Sequence, residues 1–159
     1  MHRWMACFLM VLLAAGARPA KDRSALAREM LVAHNTLRWR FKVRPLEWSD
    51  KLAGVAQEWA DKLLAGKDIH HRPNSPYGEN IFESRGGKIV AADVVNDWAS
   101  ESRDYIYRTN RCLDVCGHYT QLIWRSTKRV GCAVAHSTDR EVWVCEYDPP
   151  GNVEGERPY

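Results

Sequence analysis

The sequence predicts an α+β protein, an α-β-α sandwich in which a small, mostly antiparallel sheet lies between helices. Three observations lead there. The predicted elements run helix, helix, strand, helix, helix, hairpin. The final hairpin is Val-rich and alternates regularly. The helical segments carry apolar residues at a spacing of three and four, which gives each one buried face.

Residues 24–39, "SALAREMLVAHNTLRW", suit a first helix. Ser24 can cap it, and Leu26, Met30, Ala33 and Leu37 share one face. The segment "KVRPLEW" is extended, because Pro45 disfavours helix at Arg44. Ser49 caps a second helix, "DKLAGVAQEWADKLLA", whose inner face is Leu52, Val55, Ala56, Trp59 and Leu63. Gly66 stops it. Residues 70–80 hold two prolines and a glycine and read as a loop, and "ENIFES" as a short strand. Residues 88–104 form a third helix with Val94, Val95 and Trp98 inward, and "GHYTQLIW" a short fourth. The hairpin pairs "RVGCAVAHS" with "EVWVCEYD" around Thr138-Asp139. A two-residue loop sets Ser137 against Arg140 and Cys132 against Cys145 at a non-hydrogen-bonded site, where facing residues come closest. Such a site suits a disulfide. Cys112 and Cys116 are then the remaining pair.

The chain has 159 residues, enough for one domain at ordinary hydrophobic (45%) and charged (27%) content. Its first residues differ from the rest. Arg3 precedes the apolar run "ACFLMVLLAA", and "AGA" follows with small residues where a signal peptidase cuts. Residues 1–17 therefore read as a signal peptide, leaving 18–159 as a single secreted, extracellular and monomeric domain. The run is too short to span a bilayer, so no transmembrane anchor is expected. Without Arg3 the chain holds 22 basic and 20 acidic residues, a balance that excludes a nucleic-acid partner. Without Cys7 four cysteines remain, an even count that implies two disulfides in an exported chain.

Five histidines follow the signal segment: His34, His70, His71, His118 and His136. The chain has no H-E-x-x-H, G-x-S-x-G or phosphate loop. What remains is looser. His70 or His71 lies in the loop, and Glu79 opens the following strand. Glu101 lies three residues past Trp98 on an inward face, and His118 begins the fourth helix. Two histidines and two carboxylates can bind a divalent metal, typically zinc, or transfer protons. Each can equally be an isolated polar residue with a local hydrogen bond. Glu101 is the most informative of them, because a carboxylate on an apolar face needs a partner.

"GHYTQLIWRST" and "VWVCEYDPPGNV" resemble the two signatures of the CAP superfamily. That superfamily holds the cysteine-rich secretory proteins, antigen 5 venom allergens and pathogenesis-related class one proteins. "HNTLR", "PLEW", "AQEWA", "YGENI" and "DWASE" are similar to its other blocks, in order, from about residue 25 to Tyr159. The ending "PPGNVEGERPY" is most similar to the plant and microbial branch. The resemblance implies an α-β-α sandwich with a central cleft holding His118, Glu79, Glu101 and His71, with His70 the alternative to His71. It implies zinc or another divalent cation bound through the two histidines, with the glutamates orienting the imidazoles. It makes Gln121 a hydrogen-bonding support beneath that site.

The same resemblance implies a binding protein for sterol, fatty acid or another small lipid, acting in defence or host–microbe contact. Tyr105, Tyr107 and Tyr119 are the residues expected to line its groove. Two alternatives stand beside it: a metal-dependent protease or other hydrolase using the His/Glu cluster, and a precursor that releases Pro149–Tyr159 as a signalling peptide. The sequence departs from the family in three places. Plant members usually carry six cysteines, and the bridge absent here would join the histidine loop to the hairpin. Its loss costs on the order of 2–4 kcal/mol unless packing compensates. Glu146 replaces the usual asparagine. No cysteine-rich module follows the domain, so channel-blocking activity is not implied.

Overall fold

A computed structural model describes the backbone from Ala20 to Tyr159 and the side chains from Ala25 onward. The signal-peptide segment, residues 1–17, lies outside the described residues. Four strands form one mixed sheet in the order β1-β5-β6-β2. These are β1 (Glu47–Trp48), β2 (Gly78–Arg85), β5 (Arg129–His136) and β6 (Arg140–Asp148). Two very short strands, β3 (Tyr105–Ile106) and β4 (Arg111–Cys112), pair separately. The sheet is antiparallel except where β1 runs parallel to β5. Helices α1 (Ala20–Arg40), α3 (Ala91–Ser100) and α4 (Gly117–Leu122) cover one face, and α2 (Asp50–Ala65) covers the other.

The two cores follow from the period-two alternation of β6. Trp143, Cys145 and Tyr147 face α1, α3 and α4 with Met30, Val94, Trp98 and Leu122. Val142 and Val144 face α2 with Ala56, Trp59 and Leu63. Ser49 caps α2 as the sequence predicts, its hydroxyl accepting from the Leu52 amide at 3.3 Å. Gly131 lets this helix lie directly on β5. A Cβ there would stand 2.2 Å from the Ala53 nitrogen.

The hairpin register is as predicted. Ser137 N–H donates to the Arg140 carbonyl, and Cys132 faces Cys145. Both disulfides form as paired from the sequence, Cys132–Cys145 and Cys112–Cys116. Helix boundaries move: the third helix begins at Ala91 rather than 88, and the fourth ends at Leu122 rather than 124. The first helix begins at Ala20, so Ser24 lies within it rather than capping it. The third ends at Ser100 and continues as a 3₁₀ turn over Glu101–Asp104.

The larger correction concerns the buried edge of α1. Its deepest line is Leu26, Met30, His34 and Arg38, while Ala33 and Leu37 are only half-buried. His34 and Arg38 are fully buried because the fold satisfies their polar atoms. His34 Nδ1–H donates to the Met30 carbonyl (2.7 Å), leaving Nε2 to accept from the Tyr147 hydroxyl (2.9 Å). Burial pushes its pKa down to about 4, so it is neutral. Arg38 donates to four carbonyls: Arg44 (2.8 Å), Leu122 (2.8 Å), Trp124 (3.1 Å) and Thr127 (3.1 Å). The helix then ends in a Schellman turn, with Val43 N–H on the Arg38 carbonyl and Lys42 N–H on that of Trp39. Lys42 occupies its left-handed position at φ 55°.

Replacing Arg38 with alanine strands those four carbonyls. At about 1–3 kcal/mol for each buried group left unpaired, the loss should reach at least about 3 kcal/mol. Urea unfolding of Arg38→Ala is expected to show a lower midpoint at unchanged slope.

Candidate functional site: two histidine–glutamate pairs astride an edge strand

The site is organised by β2, the edge strand beside β6. Along it, Glu79 points to the α2 face and Asn80 to the α1 face. Glu79 meets the loop after α2. Its Oε1 bonds His71 Nδ1 at 2.6 Å and accepts the Arg72 backbone N–H at 3.1 Å. On the other face, the Asn80 amide donates to the His118 carbonyl at 3.1 Å. His118 Nδ1 bonds Glu101 Oε1 at 2.6 Å.

Glu101 also fixes the helix that carries His118. Its Oε2 accepts the backbone N–H of His118 (2.9 Å) and of Tyr119 (3.2 Å). These are donors that a helix start otherwise leaves unpaired. The carboxylate that the sequence leaves in need of a partner thus has three. Trp98, whose indole N–H donates to the Ile81 carbonyl at 3.1 Å, stacks on the His118 ring at 6.2 Å.

The four expected residues therefore form two dyads on opposite sides of one strand, each histidine bonded to its own glutamate. His71 is exposed and His118 half-buried. In both, Nδ1 is used and Nε2 has no hydrogen-bond partner among the described residues. The hydrogen bond to Glu79 raises the pKa of His71 against the effect of its partial burial. His70 does not join. Its carbonyl accepts from Trp59 Nε1 at 3.2 Å, and its ring packs edge-on against that indole at 5.3 Å.

The loop bearing both histidines is held without a disulfide. Arg72 reaches back to α2, donating to the Val55 carbonyl (3.3 Å) and to Glu58 (3.2 Å). Its guanidinium also lies 5.8 Å from the Trp59 ring.

Two expected roles change. Gln121 is buried but hydrogen-bonds to neither histidine. Its Oε1 accepts from Gly151 N–H at 2.9 Å and its Nε2 donates to Thr127 at 3.2 Å, so it clamps the C-terminal segment. It also lies hard against β2, where a Cβ on Gly78 would stand 2.1 Å from its Oε1. Tyr105, Tyr107 and Tyr119 do not line an open groove. Tyr119 is buried against Tyr105 and Phe41, and Tyr159 packs on Phe41 (5.0 Å) and stacks on Tyr107 (4.8 Å). Tyr159 thus packs among these rings, while Tyr107 stays 45% exposed.

Glu146 is the site residue that sequence reasoning passes over as a ligand-side group. It faces Glu79 directly across the β2–β6 pair and is fully buried. Neither of its carboxylate oxygens has a protein partner, nor does Glu79 Oε2. Burial, reinforced by the Glu79 charge, pushes its pKa up to about 8. A proton held on Glu146 supplies Glu79 Oε2 with the donor that this oxygen otherwise lacks. The signal was present in "EVWVCEYD", where alternation places Glu146 on the same face as Val142 and Val144.

Among the described residues, one group of three brings metal-ligating atoms within 4.8 Å of each other: His34, Cys132 and Cys145. Its sulfurs are joined as a disulfide and both His34 nitrogens are hydrogen-bonded, so it offers no thiolate and no free imidazole lone pair.

Glu146 makes stability pH-dependent. The folded state keeps this proton from the ordinary carboxyl range up to about pH 8, whereas the unfolded chain releases it near 4.5. Folded stability should therefore fall as pH rises through that window. Glu146→Gln removes the effect. The variant is expected to gain on the natural protein between about pH 5 and 8, by on the order of 2–4 kcal/mol at the top. Thermal melts across that range measure it, and parallel curves for the two proteins would refute the assignment.

Comparison with known proteins agrees with this architecture. The model of the cysteine-rich secretory protein family (CAP) matches residues 31–147. Pathogenesis-related protein 1A of Nicotiana tabacum is 44% identical over 135 residues, covering 83% of this chain and 80% of that protein. A pathogenesis-related protein 1 of Arabidopsis thaliana is 41% identical over 128 residues, covering 80% and 78%. Among solved structures, venom allergen-like protein 4 of Schistosoma mansoni superposes with a TM-score of 0.71 at 24% identity, over 84% of this chain and 92% of that one. NaASP2, solved with Zn2+, gives 0.71 at 22% identity, over 90% of each chain. Sequence blocks, sandwich and family match together place this chain in the CAP family of cysteine-rich secretory proteins.

Proposed function

We propose that the protein is a secreted, defence-related CAP protein that binds sterol or another small lipid without catalysing a reaction, and that His71 and His118 hold a divalent cation. The observation that carries the lipid reading is an apolar groove of about 510 Å³ between α1 and α3. Val32, Ala33, Val90 and Ala91 line it, with Glu29, Thr36 and Asn96 supplying polar groups. Its volume and its mostly apolar lining with few polar groups suit a small-molecule site. The groove lies away from the tyrosine cluster, where Tyr159 packs. The defence role is drawn from the plant relatives, which are pathogenesis-related proteins. Secretion is drawn from the N-terminal segment and the family.

The donor chemistry of each dyad fits a cation, and one ion shared by both requires the two Nε2 atoms to meet around the edge of β2 within about 4 Å of each other. Each imidazole spends Nδ1 on a carboxylate, which fixes the ring and leaves Nε2 as the ligand atom. A related protein has been solved with Zn2+. A bound cation would supply a positive centre for an oxygen-bearing ligand. The hydrolase reading lacks such support, because Glu101 spends both oxygens on His118 and the α4 backbone. As for peptide release, residues 149–159 are docked on the domain. Gln121 holds Gly151, Asn110 holds the Glu156 carbonyl at 2.8 Å, and Pro158 is buried.

Zinc titrated calorimetrically should bind, and Glu101→Gln should weaken it about tenfold or more. Equal heats from natural protein and a His71→Ala/His118→Ala variant would remove the cation site from this account. Transfer of labelled cholesterol or palmitate should saturate at micromolar protein and drop sharply in Val32→Asp. Failure of both lipids to bind the natural protein would overturn the lipid reading.

A further inference from the structure

We infer that the C-terminal end of α1 and the turn after it dock on a lipid bilayer with anionic headgroups, beside the apolar groove. Trp39 is 80% exposed, the highest value among the exposed large hydrophobic residues of the described chain. An indole left almost wholly in water adds nothing to the core, and its amphipathic ring suits the headgroup layer of a membrane. Its neighbours are basic. From Met30 to Leu46 the chain has no acidic residue, and Arg40, Lys42 and Arg44 are exposed. None of these three enters a salt bridge among the described residues.

The backbone presents these charges on a fixed support. Buried Arg38 grips the Arg44 carbonyl, and the Schellman turn holds Lys42 at its tip. Lys42 stands at φ 55°, where glycine would be unstrained. The apolar part is continuous. Trp39 shares a shallow depression with Val32, Asn35 and Thr36, and Val32 and Thr36 also line the α1–α3 groove. Val32 (66% exposed) and Val90 (55%) extend the track to the start of α3. Scattered exposed apolar residues are ordinary, but a contiguous track marks a contact surface.

Charge selects the occupant. A second copy meeting this face about a two-fold axis would bring the same basic turns together, which is repulsive. An anionic bilayer complements them, each Lys or Arg adding attraction that decays within a Debye length. The docking rests on the lipid-binding reading for its purpose, since it would set the groove against the ligand's source.

Flotation with vesicles tests it, using phosphatidylcholine alone and with about 30% phosphatidylserine. The natural protein should float with the anionic vesicles at about 50 mM salt and lose most of that binding at about 500 mM, where screening is short-ranged. Arg40→Glu/Lys42→Glu should lower the partition coefficient about tenfold or more, and Trp39→Ser should lower it severalfold. All three positions are exposed, so melts should match the natural protein. No flotation at low salt, flotation unchanged in Trp39→Ser, or a dimer that buries Trp39 would each overturn the inference. The two readings fail separately. Intact lipid transfer without vesicle binding refutes docking alone, and vesicle binding without lipid transfer refutes the groove alone.

Discussion

A charge without a counter-charge stands at the centre of this fold. Arg38 lies fully buried, and the structure answers its guanidinium with backbone carbonyls rather than a carboxylate. Those carbonyls come from the turn after α1 and from the end of α4 with the segment leading into β5. One side chain thus ties the turn after α1 to the end of α4 and to the approach to β5. Burial lowers its pKa to about 10, which still leaves it charged at neutral pH. Such a group is costly to bury and costlier to leave half-satisfied. The α4 end must therefore sit where Arg38 can reach it, and His118 at the other end of that six-residue helix is placed by the same constraint.

The second dyad is placed by different means. The histidine loop has no covalent tie to the hairpin. Arg72 fastens it to α2, Trp59 takes the His70 carbonyl, and Glu79 accepts from both His71 and the Arg72 backbone. Glu146, opposite Glu79 on β6, adds a buried carboxyl to this side. The two sides of β2 thus carry similar His–Glu pairs on unlike foundations: a helix start on one side, and an arginine-pinned loop over a protonated carboxyl on the other.

Much of this was legible from residues alone. The period-two run of "EVWVCEYD" and its turn gave register, disulfide and sheet centre, because burial on one face punishes any slip. Family motifs marked His118, Glu79 and Glu101. What was not legible followed from satisfaction of polar groups. Apolar spacing on α1 selected Ala33 and Leu37 over His34 and Arg38, since no pattern in sequence tells a polar side chain that distant carbonyls await it. Tyr105, Tyr107 and Tyr119 suggested an open aromatic surface, and only the folded chain shows Tyr159 returning from far along the sequence to pack among them. The strands β3 and β4, two residues each, carry no periodic signal at all.

The two disulfides differ in their surroundings. Cys132 and Cys145 are both buried between α1 and the sheet, close to His34. Cys112 is exposed at the end of a short strand, with Cys116 buried behind it. An attacking thiolate needs direct access to sulfur. It can meet Cys112 in the native molecule, whereas the hairpin bridge is accessible only after the surrounding core opens. Reductant therefore reads two separate clocks in one molecule. The small loop reports local chemistry at the surface, and the hairpin reports how often the whole core comes apart.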